Sequence, residues 1–236
     1  MRHDTVTKDA SPKKQIFTHF AQIAKAMASP NRLELLEALA QGERSVEKLA
    51  VATGMPIANT SHHLQVLREG GLVRSRKQGV QVFYRLSDDE IPQMLGCLQR
   101  VGERHFAEVE LIVREHFASR DGLQPVTHRE LTMLLKSGEA LLLDVRPSEE
   151  YEAGHIPGAM NVPIETLLRR VIEFPQNKEV VAYCRGPYCM MAFEAVKRLR
   201  KRGFRARRLE DGFPEWKSGG RPVAIGDEAR HAGGGR

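Results

Sequence analysis

The sequence predicts two domains in tandem: a mainly α helix-turn-helix domain with an α/β hairpin wing, followed by an α/β domain with a parallel sheet. The first domain is read from apolar residues recurring at helical spacing up to about residue 117, interrupted by one hairpin around Gly79. The second is read from short apolar runs after Pro125, such as Ala140-Leu-Leu-Leu-Asp-Val145 and Val180-Val-Ala-Tyr183, which alternate with helical stretches. The expected organisation is residues 1–117, a polar linker at 118–124, residues 125–225, and a disordered tail rich in Gly and charge at 226–236.

The bulk numbers agree with this division. A chain of 236 residues accommodates two ordinary domains, and 41% hydrophobic with 28% charged residues is a globular balance. The formal charge of +6 permits nucleic acid as a partner without establishing it. No apolar run has the length of a membrane span, and the first residues lack the apolar core of a signal peptide. Three cysteines, Cys97, Cys184 and Cys189, do not make a secreted disulfide framework. The expected location is cytoplasmic, with no membrane partner.

In the first domain, a helix from about Lys13 to Met27 carries Phe17, Phe20, Ala24 and Met27 at helical spacing. Ser29-Pro30 supplies a cap and a first-turn proline for a second helix, with Leu33, Leu36 and Leu39 on one side and a stop near Gly42. Ser45 caps a third helix that Gly54 ends, and a fourth runs from Ile57 to Glu69. Helices three and four form the helix-turn-helix. On the fourth, Thr60, Leu64 and Leu67 make the inward stripe. Asn59, Ser61, His62 and Gln65 are left outward, polar groups suited to base edges or phosphates; Thr60 is kept with them as a DNA-binding candidate. The hairpin arms Leu72–Lys77 and Val80–Leu86 flank a Gln78-Gly79 turn and carry Arg74, Arg76, Lys77 and Arg85 without an acid. An acid-free hairpin beside a polar helix points to phosphate contact by Arg74, Arg76 and Lys77.

Met27-Ala-Ser-Pro-Asn-Arg-Leu33, Ser61-His-His-Leu-Gln-Val-Leu67 and Gly71-Leu-Val-Arg-Ser-Arg76 resemble, in order, the ArsR-type winged-helix repressors. The resemblance implies a homodimer, joined through the first and last helices of the domain, on a palindromic double-stranded DNA operator. It also raises metal sensing. The third helix, Ser45–Val51, has no cysteine, so the family's thiolate site is absent. The last-helix site is matched by Glu103, His105 and His116, with Ser119 in the fourth place, and a metal there is not favoured. That helix is read as continuous, with Leu98, Val101, His105, Ile112 and His116 as a dimer seam. Phe106, Val109, Val113 and Phe117 form a second stripe for the domain's own core. Cys97 is a small interface residue or, less favoured, a redox group.

In the second domain, Cys184-Arg-Gly-Pro-Tyr-Cys189 lies between a strand's carboxyl end and a helix's amino end. There, converging backbone N–H groups and the helix dipole are expected to lower the Cys184 pKa. Leu143-Asp-Val-Arg146, Glu149-Glu-Tyr151, Gly154-His-Ile-Pro-Gly-Ala159, Asn161-Val-Pro163 and Gly212-Phe-Pro-Glu-Trp216, with this loop, resemble the rhodanese family. The resemblance implies that Cys184 takes sulfur from a small sulfane-sulfur donor, becomes a persulfide and passes the sulfur on. Gly186, Tyr188 and the other loop residues would frame the reaction, Arg185 would attract an anionic donor, and Asp144 and Arg146 would fix the loop. A phosphatase needs a longer loop closing on an arginine, and Cys189 and Met190 stand at that place. Cys189 is a resolving thiol or simply a helix-start residue. The basic run from Lys197 to Arg208 is a solvated helix end or an auxiliary anion contact.

No cofactor is expected. The leading expectation is a repressor whose rhodanese domain couples reactive sulfur or redox state to operator binding. The alternatives are a sulfurtransferase that uses the winged helix to dimerise or localise, and a regulator whose rhodanese domain only binds a partner.

Overall fold

The computed structural model describes residues 11–118 and 124–226, which divide into two compact units, one through Ile91 and one from Pro92. Most of the expected linker and, apart from Gly226, the expected tail lie outside the described residues.

The first unit begins with helix α1 (Pro12–Met27), capped by the Ser11 hydroxyl at 3.4 Å from the Lys14 N–H. Helix α2 (Pro30–Ala40) follows directly. Its Arg32 guanidinium donates to the carbonyls of Ala26 (2.6 Å), Lys25 (3.1 Å) and Ala28 (3.2 Å), satisfying the open end of α1. Strand β1 (Arg44–Ser45) leads into α3 (Val46–Thr53), and α4 (Ile57–Glu69) completes the helix-turn-helix. Strands β2 (Val73–Gln78) and β3 (Gln81–Leu86) form the wing, in a sheet of order β1-β3-β2. Leu35, Leu36, Leu39, Leu49, Leu64 and Leu67, all at most 2% exposed, are the core.

One expectation changes here. Gln78 pairs with Gln81, so the turn is Gly79-Val80 rather than Gln78-Gly79, with Gly79 taking φ +60°. Glycine at the first turn position suits the twist of a two-residue hairpin. The apolar face of α1 is also uncovered in a single chain: Phe17 is 58% and Phe20 57% exposed.

From Pro92 the second unit comprises the rest of α5 (Ile91–His105) and α6 (Ala107–Val113), which ends in a π-helical turn, Arg114–Ala118. The continuous last helix expected from periodicity is therefore broken. Phe106 leaves helical geometry at φ −114°, ψ 107° and is 61% exposed, so its stripe does not pack into a core as one face. The break follows Gly102, a weak helix former.

The remainder alternates helix and strand: α7 (His128–Ser137), β4 (Ala140–Asp144), α8 (Ser148–Ala153), β5 (Met160–Asn161), α9 (Leu167–Arg170), a 3₁₀ turn at Val171–Glu173, β6 (Glu179–Tyr183), α10 (Met190–Arg200), β7 (Ala206–Arg208) and α11 (Phe213–Ser218). The four strands are parallel, in the order β5-β4-β6-β7. Successive side chains serve opposite layers. Leu143, Val180 and Ala182 pack with Val196 and Leu199, while Leu142, Val181 and Tyr183 pack with Leu131 and Trp216. This two-sided burial is why β4 and β6 read as unbroken apolar runs. Among the described residues, no helix is long and apolar enough to cross a membrane.

Candidate functional site

Helix α4 separates the polar candidates into two groups. Asn59, His62 and Gln65 are exposed and Ser61 is half-buried, on the side opposite Leu64 and Leu67. Thr60 is fully buried, its hydroxyl donating to the Pro56 carbonyl at 3.1 Å. It belongs to the inward stripe, so its hydroxyl is not presented to DNA as expected. Beside α4, the wing exposes Arg74, Arg76, Lys77 and Arg85, and Arg74 faces Arg85 directly across the ladder. Like charges opposite one another destabilise a hairpin unless an anion meets them.

Arg76 is a different case. Glu43, outside the hairpin, grips it with two 2.9 Å bonds from Nε and a 2.5 Å contact to Nη2, and its guanidinium stacks 4.7 Å from the Phe83 ring. The acid missing from the hairpin sequence comes from just before β1. Arg76 is thus committed within the protein, in contrast to the expectation for it.

In the second unit, Cys184 directly follows β6 and Cys189 occupies the N-cap position of α10. The six-residue loop is held from three sides. The Cys189 N–H donates to the Gly186 carbonyl (3.1 Å), and the Phe213 N–H donates to the Cys184 carbonyl (3.1 Å). Gly212 presses on the Arg185–Gly186 peptide so closely that a Cβ there would stand 2.4 Å from the Gly186 nitrogen. Only glycine fits, which gives the Gly212-Phe-Pro-Glu-Trp216 motif a physical role.

The two thiols are not equivalent, and the lowered pKa expected of Cys184 is reversed. Its side chain is 2% exposed, and burial pushes its pKa up, opposing the Gly186 and Ala192 N–H groups; its Sγ donates to the Cys189 carbonyl at 3.4 Å. Cys189, half-buried at the start of α10, is lowered to about 7 by its hydrogen bond with the Cys184 thiol and by the Arg185 and Met191 N–H groups. The helix-terminal effect assigned to Cys184 from the sequence falls on Cys189.

Arg185 is also committed. It forms 3.1 Å and 2.6 Å bonds with Glu150, whose carboxylate is 4% exposed. Its side chain remains 31% exposed, so a donor would compete with Glu150 for it. At the end of β4, beside Tyr183 of β6, Asp144 and Arg146 form a fully buried ion pair. Arg146 Nε donates to Asp144 Oδ1 at 3.0 Å and Nη2 to the Gly154 carbonyl at 2.8 Å, with Phe213 4.4 Å from the guanidinium. Phe213, which stacks on this pair, is the residue whose N–H donates to the Cys184 carbonyl. Sequence reasoning did not single out Glu150 as Arg185's partner, or Tyr183, whose hydroxyl accepts from the Ile156 N–H at 3.1 Å.

Tyr188, the fifth loop residue, donates a short hydrogen bond to Glu103 of α5, and Gln93 at the start of α5 donates to the Ser218 carbonyl at 2.5 Å. Glu103 is therefore engaged by the thiol loop. His105 and His116 are exposed on either side of the Phe106 break, and among the described residues Glu103, His105 and His116 do not converge within one chain. Cys97 is exposed, with the Arg100 guanidinium 3.2 Å from its sulfur. The basic run is largely used internally: Arg207 bonds Glu179 and Glu130, Arg198 bonds Glu194, Arg200 bonds the Ala206 carbonyl, and Arg208 stacks on Phe193.

Residues 29–75 match the model of the bacterial regulatory protein arsR family, and residues 127–219 match the rhodanese-like domain. The HTH-type transcriptional regulator Rv0324 of Mycobacterium tuberculosis is 41% identical over 219 residues, spanning 93% of this chain and 96% of that protein. The chain belongs to the ArsR family. It is an ArsR-family transcriptional regulator whose winged helix is followed by a rhodanese domain. Among solved structures, the homodimeric winged helix-turn-helix DNA-binding domain of Mb0332 from Mycobacterium bovis is 36% identical, covering 42% of this chain and 92% of that one, with a TM-score of 0.39. A thiosulfate sulfurtransferase from Pseudomonas aeruginosa is 26% identical over 50% of this chain and 22% of its own, with a TM-score of 0.42. In the ArsR-family regulator described here, the family's arsR match contains α3, α4 and part of β2, and the rhodanese match contains the whole Cys184 loop.

Proposed function

We propose that this ArsR-family protein is a homodimeric repressor whose operator affinity is set by sulfane sulfur carried on the Cys184–Cys189 loop. The observation that carries the sulfur reading is the thiol pair itself. A buried thiol, donating to the Cys189 carbonyl, is paired with a half-buried second thiol whose pKa is lowered to about 7, on a loop braced by Gly212, Phe213 and Glu150.

The chemistry follows from that inequality. Cys189 as thiolate accepts the Cys184 proton, and the Cys184 thiolate attacks the outer sulfur of a low-molecular-weight persulfide, R–S–SH. The donor S–S bond breaks, RS⁻ leaves, and Cys184 becomes Cys184–S–SH. Cys189, deprotonated again, attacks the inner Cys184 sulfur and expels HS⁻, leaving a Cys184–Cys189 disulfide. A dithiol reductant then restores both thiols and is itself oxidised to a disulfide. Transfer of the outer sulfur from Cys184 to an external nucleophile is the competing exit.

The rate of persulfide formation is expected to rise with pH through about 7, as Cys189 loses its proton. In Cys189→Ser the rise should move to higher pH, because Cys184 alone is pushed up by burial, and no disulfide should form. Stopped-flow kinetics with intact-mass analysis checks both; an unchanged profile in the variant removes Cys189 from the mechanism.

Operator binding is assigned to Asn59, Ser61, His62 and Gln65 of α4, with Arg74 and Lys77 of the wing on phosphates. Replacing Gln65 by alanine is expected to cost about 1–3 kcal/mol and relax specificity at one base pair. Arg74→Ala should reduce the steepness of the salt dependence by about one, uniformly across sequences. Arg76→Ala should change it less, since Glu43 already meets that charge. Fluorescence anisotropy on selected DNA at several salt concentrations measures all three. The exposed apolar faces Ile16, Phe17 and Phe20 of α1 and Leu98 and Val101 of α5 are assigned to the dimer.

The coupling rests on the Tyr188–Glu103 hydrogen bond. It joins the thiol loop to α5, the helix by which the chain continues from the winged helix. A sulfurtransferase that uses the winged helix only to dimerise would turn over persulfide while its DNA binding ignored it.

A further inference from the structure

A group of side chains just before Gly212 in the chain and at the start of α7 has no part in the chemistry above. His128 is the first residue of α7, placed there by the Thr127 cap and by a bridge between Val126 and Leu209 that extends the sheet edge. The same bridge brings up Glu210 and Asp211, the residues directly after Leu209. One ligand atom from each of His128, Glu210 and Asp211 lies within 4.8 Å of the others.

The imidazole is the unusual member. Its side chain is 11% exposed, packed edge-on against Trp216 at 5.5 Å, and its buried Nε2 has no hydrogen-bond partner. Asp211 Oδ2 lies 3.8 Å from Nε2, and Glu210 Oε1 lies 4.0 Å from Nδ1. A direct hydrogen bond would have closed these gaps to about 2.9 Å. Two ligands on one tetrahedral cation stand about 3.4 Å apart, so a modest side-chain rotation brings Nε2 and Oδ2 to that spacing. Among the described residues, neither carboxylate is ion-paired with a lysine or arginine.

We propose that His128, Glu210 and Asp211 bind one divalent transition-metal cation of the zinc class on the rhodanese unit. One imidazole nitrogen and two carboxylates form a three-ligand set with room for water. Glu210 and Asp211 also line a cavity of about 310 Å³, with Pro187 and Tyr188 of the thiol loop. The cation fastens the start of α7 to the residue preceding Gly212, and so to the segment that braces the Cys184 loop. The binding site itself does not rest on the sulfur-transfer reading.

The test is calorimetric titration of the chelator-stripped full chain with zinc chloride, followed in parallel by Trp216 fluorescence, and repeated with cobalt(II) to show whether thiolate ligates. The expected result is one equivalent bound without a thiolate charge-transfer band, with the Trp216 emission changing as the site fills. Affinity should fall at least about tenfold in His128→Ala and in the near-isosteric Asp211→Asn. It should be unchanged in Cys184→Ser, Cys189→Ser and His105→Ala. Binding that survives both His128→Ala and Asp211→Asn overturns the proposal. So does binding lost in a cysteine variant or in His105→Ala, or no binding up to zinc concentrations on the order of 10⁻⁴ M. In those cases Glu210 serves only to accept the His128 backbone N–H at 3.2 Å.

Discussion

Cys184→Ser is expected to lower persulfide turnover by a factor on the order of 10³ or more, while the fold stays intact. A serine hydroxyl is smaller than the thiol and can still donate to the Cys189 carbonyl, so the buried contact at 3.4 Å survives the change. What is lost is the sulfur nucleophile, and no other group in the loop replaces it at that depth. Cys189 lies five residues on, half-buried at the start of α10 and not at the buried end of β6. Intact-mass analysis after persulfide treatment should show no stable adduct at residue 184 in the variant. Unchanged near-ultraviolet fluorescence would confirm folding, since Trp216, the only tryptophan, is buried within the rhodanese unit. Turnover close to wild type would move the nucleophile to Cys189.

The second large effect is structural. Asp144 and Arg146 are both fully buried, and each charge is matched mainly by the other. Removing one partner leaves an uncompensated charge in a low-dielectric interior, a loss of about 3–5 kcal/mol. Asp144→Ala should therefore shift the urea midpoint followed by Trp216 emission sharply downwards, and Arg146→Met should do the same. Arg146→Met also strips the donor from the Gly154 carbonyl. Replacing both residues with apolar ones of similar volume should recover much of the loss, because the desolvation cost of the pair disappears with its attraction. If each single variant shifts the midpoint by less than the equivalent of about 1 kcal/mol, the pair is better solvated than its burial implies.

The features legible in the sequence were those set by neighbours along the chain. Ser45 caps α3 and α4 spans Ile57–Glu69 as expected, because caps and apolar periodicity act within a few residues. The ArsR and rhodanese resemblances were equally readable, being carried by contiguous motifs. Features decided by distant partners were not. Arg76 meets Glu43 33 residues away, and Arg185 meets Glu150 35 residues away, so both arginines read as free cations. The Phe106 break is invisible to periodicity, which continues across it. The order of the thiol pKa values depends on how deeply β6 buries Cys184, which no local pattern encodes. Thr60 shows the same limit at small scale: its polar hydroxyl invites a DNA contact, while its buried position satisfies it on Pro56.

The central claim is that the thiol loop controls the operator. Its most direct test is anisotropy of a DNA fragment selected by the protein, measured with and without a low-molecular-weight persulfide. Wild type, Cys184→Ser and Glu103→Ala should be compared. Persulfide should change wild-type affinity at least about tenfold, a coupling of roughly 1.4 kcal/mol. Cys184→Ser should bind DNA normally and not respond. Glu103→Ala should turn over persulfide yet lose the response, because Tyr188 no longer reaches an acceptor on α5. DNA affinity that ignores persulfide in the wild type, with Cys184 demonstrably modified, would contradict the account.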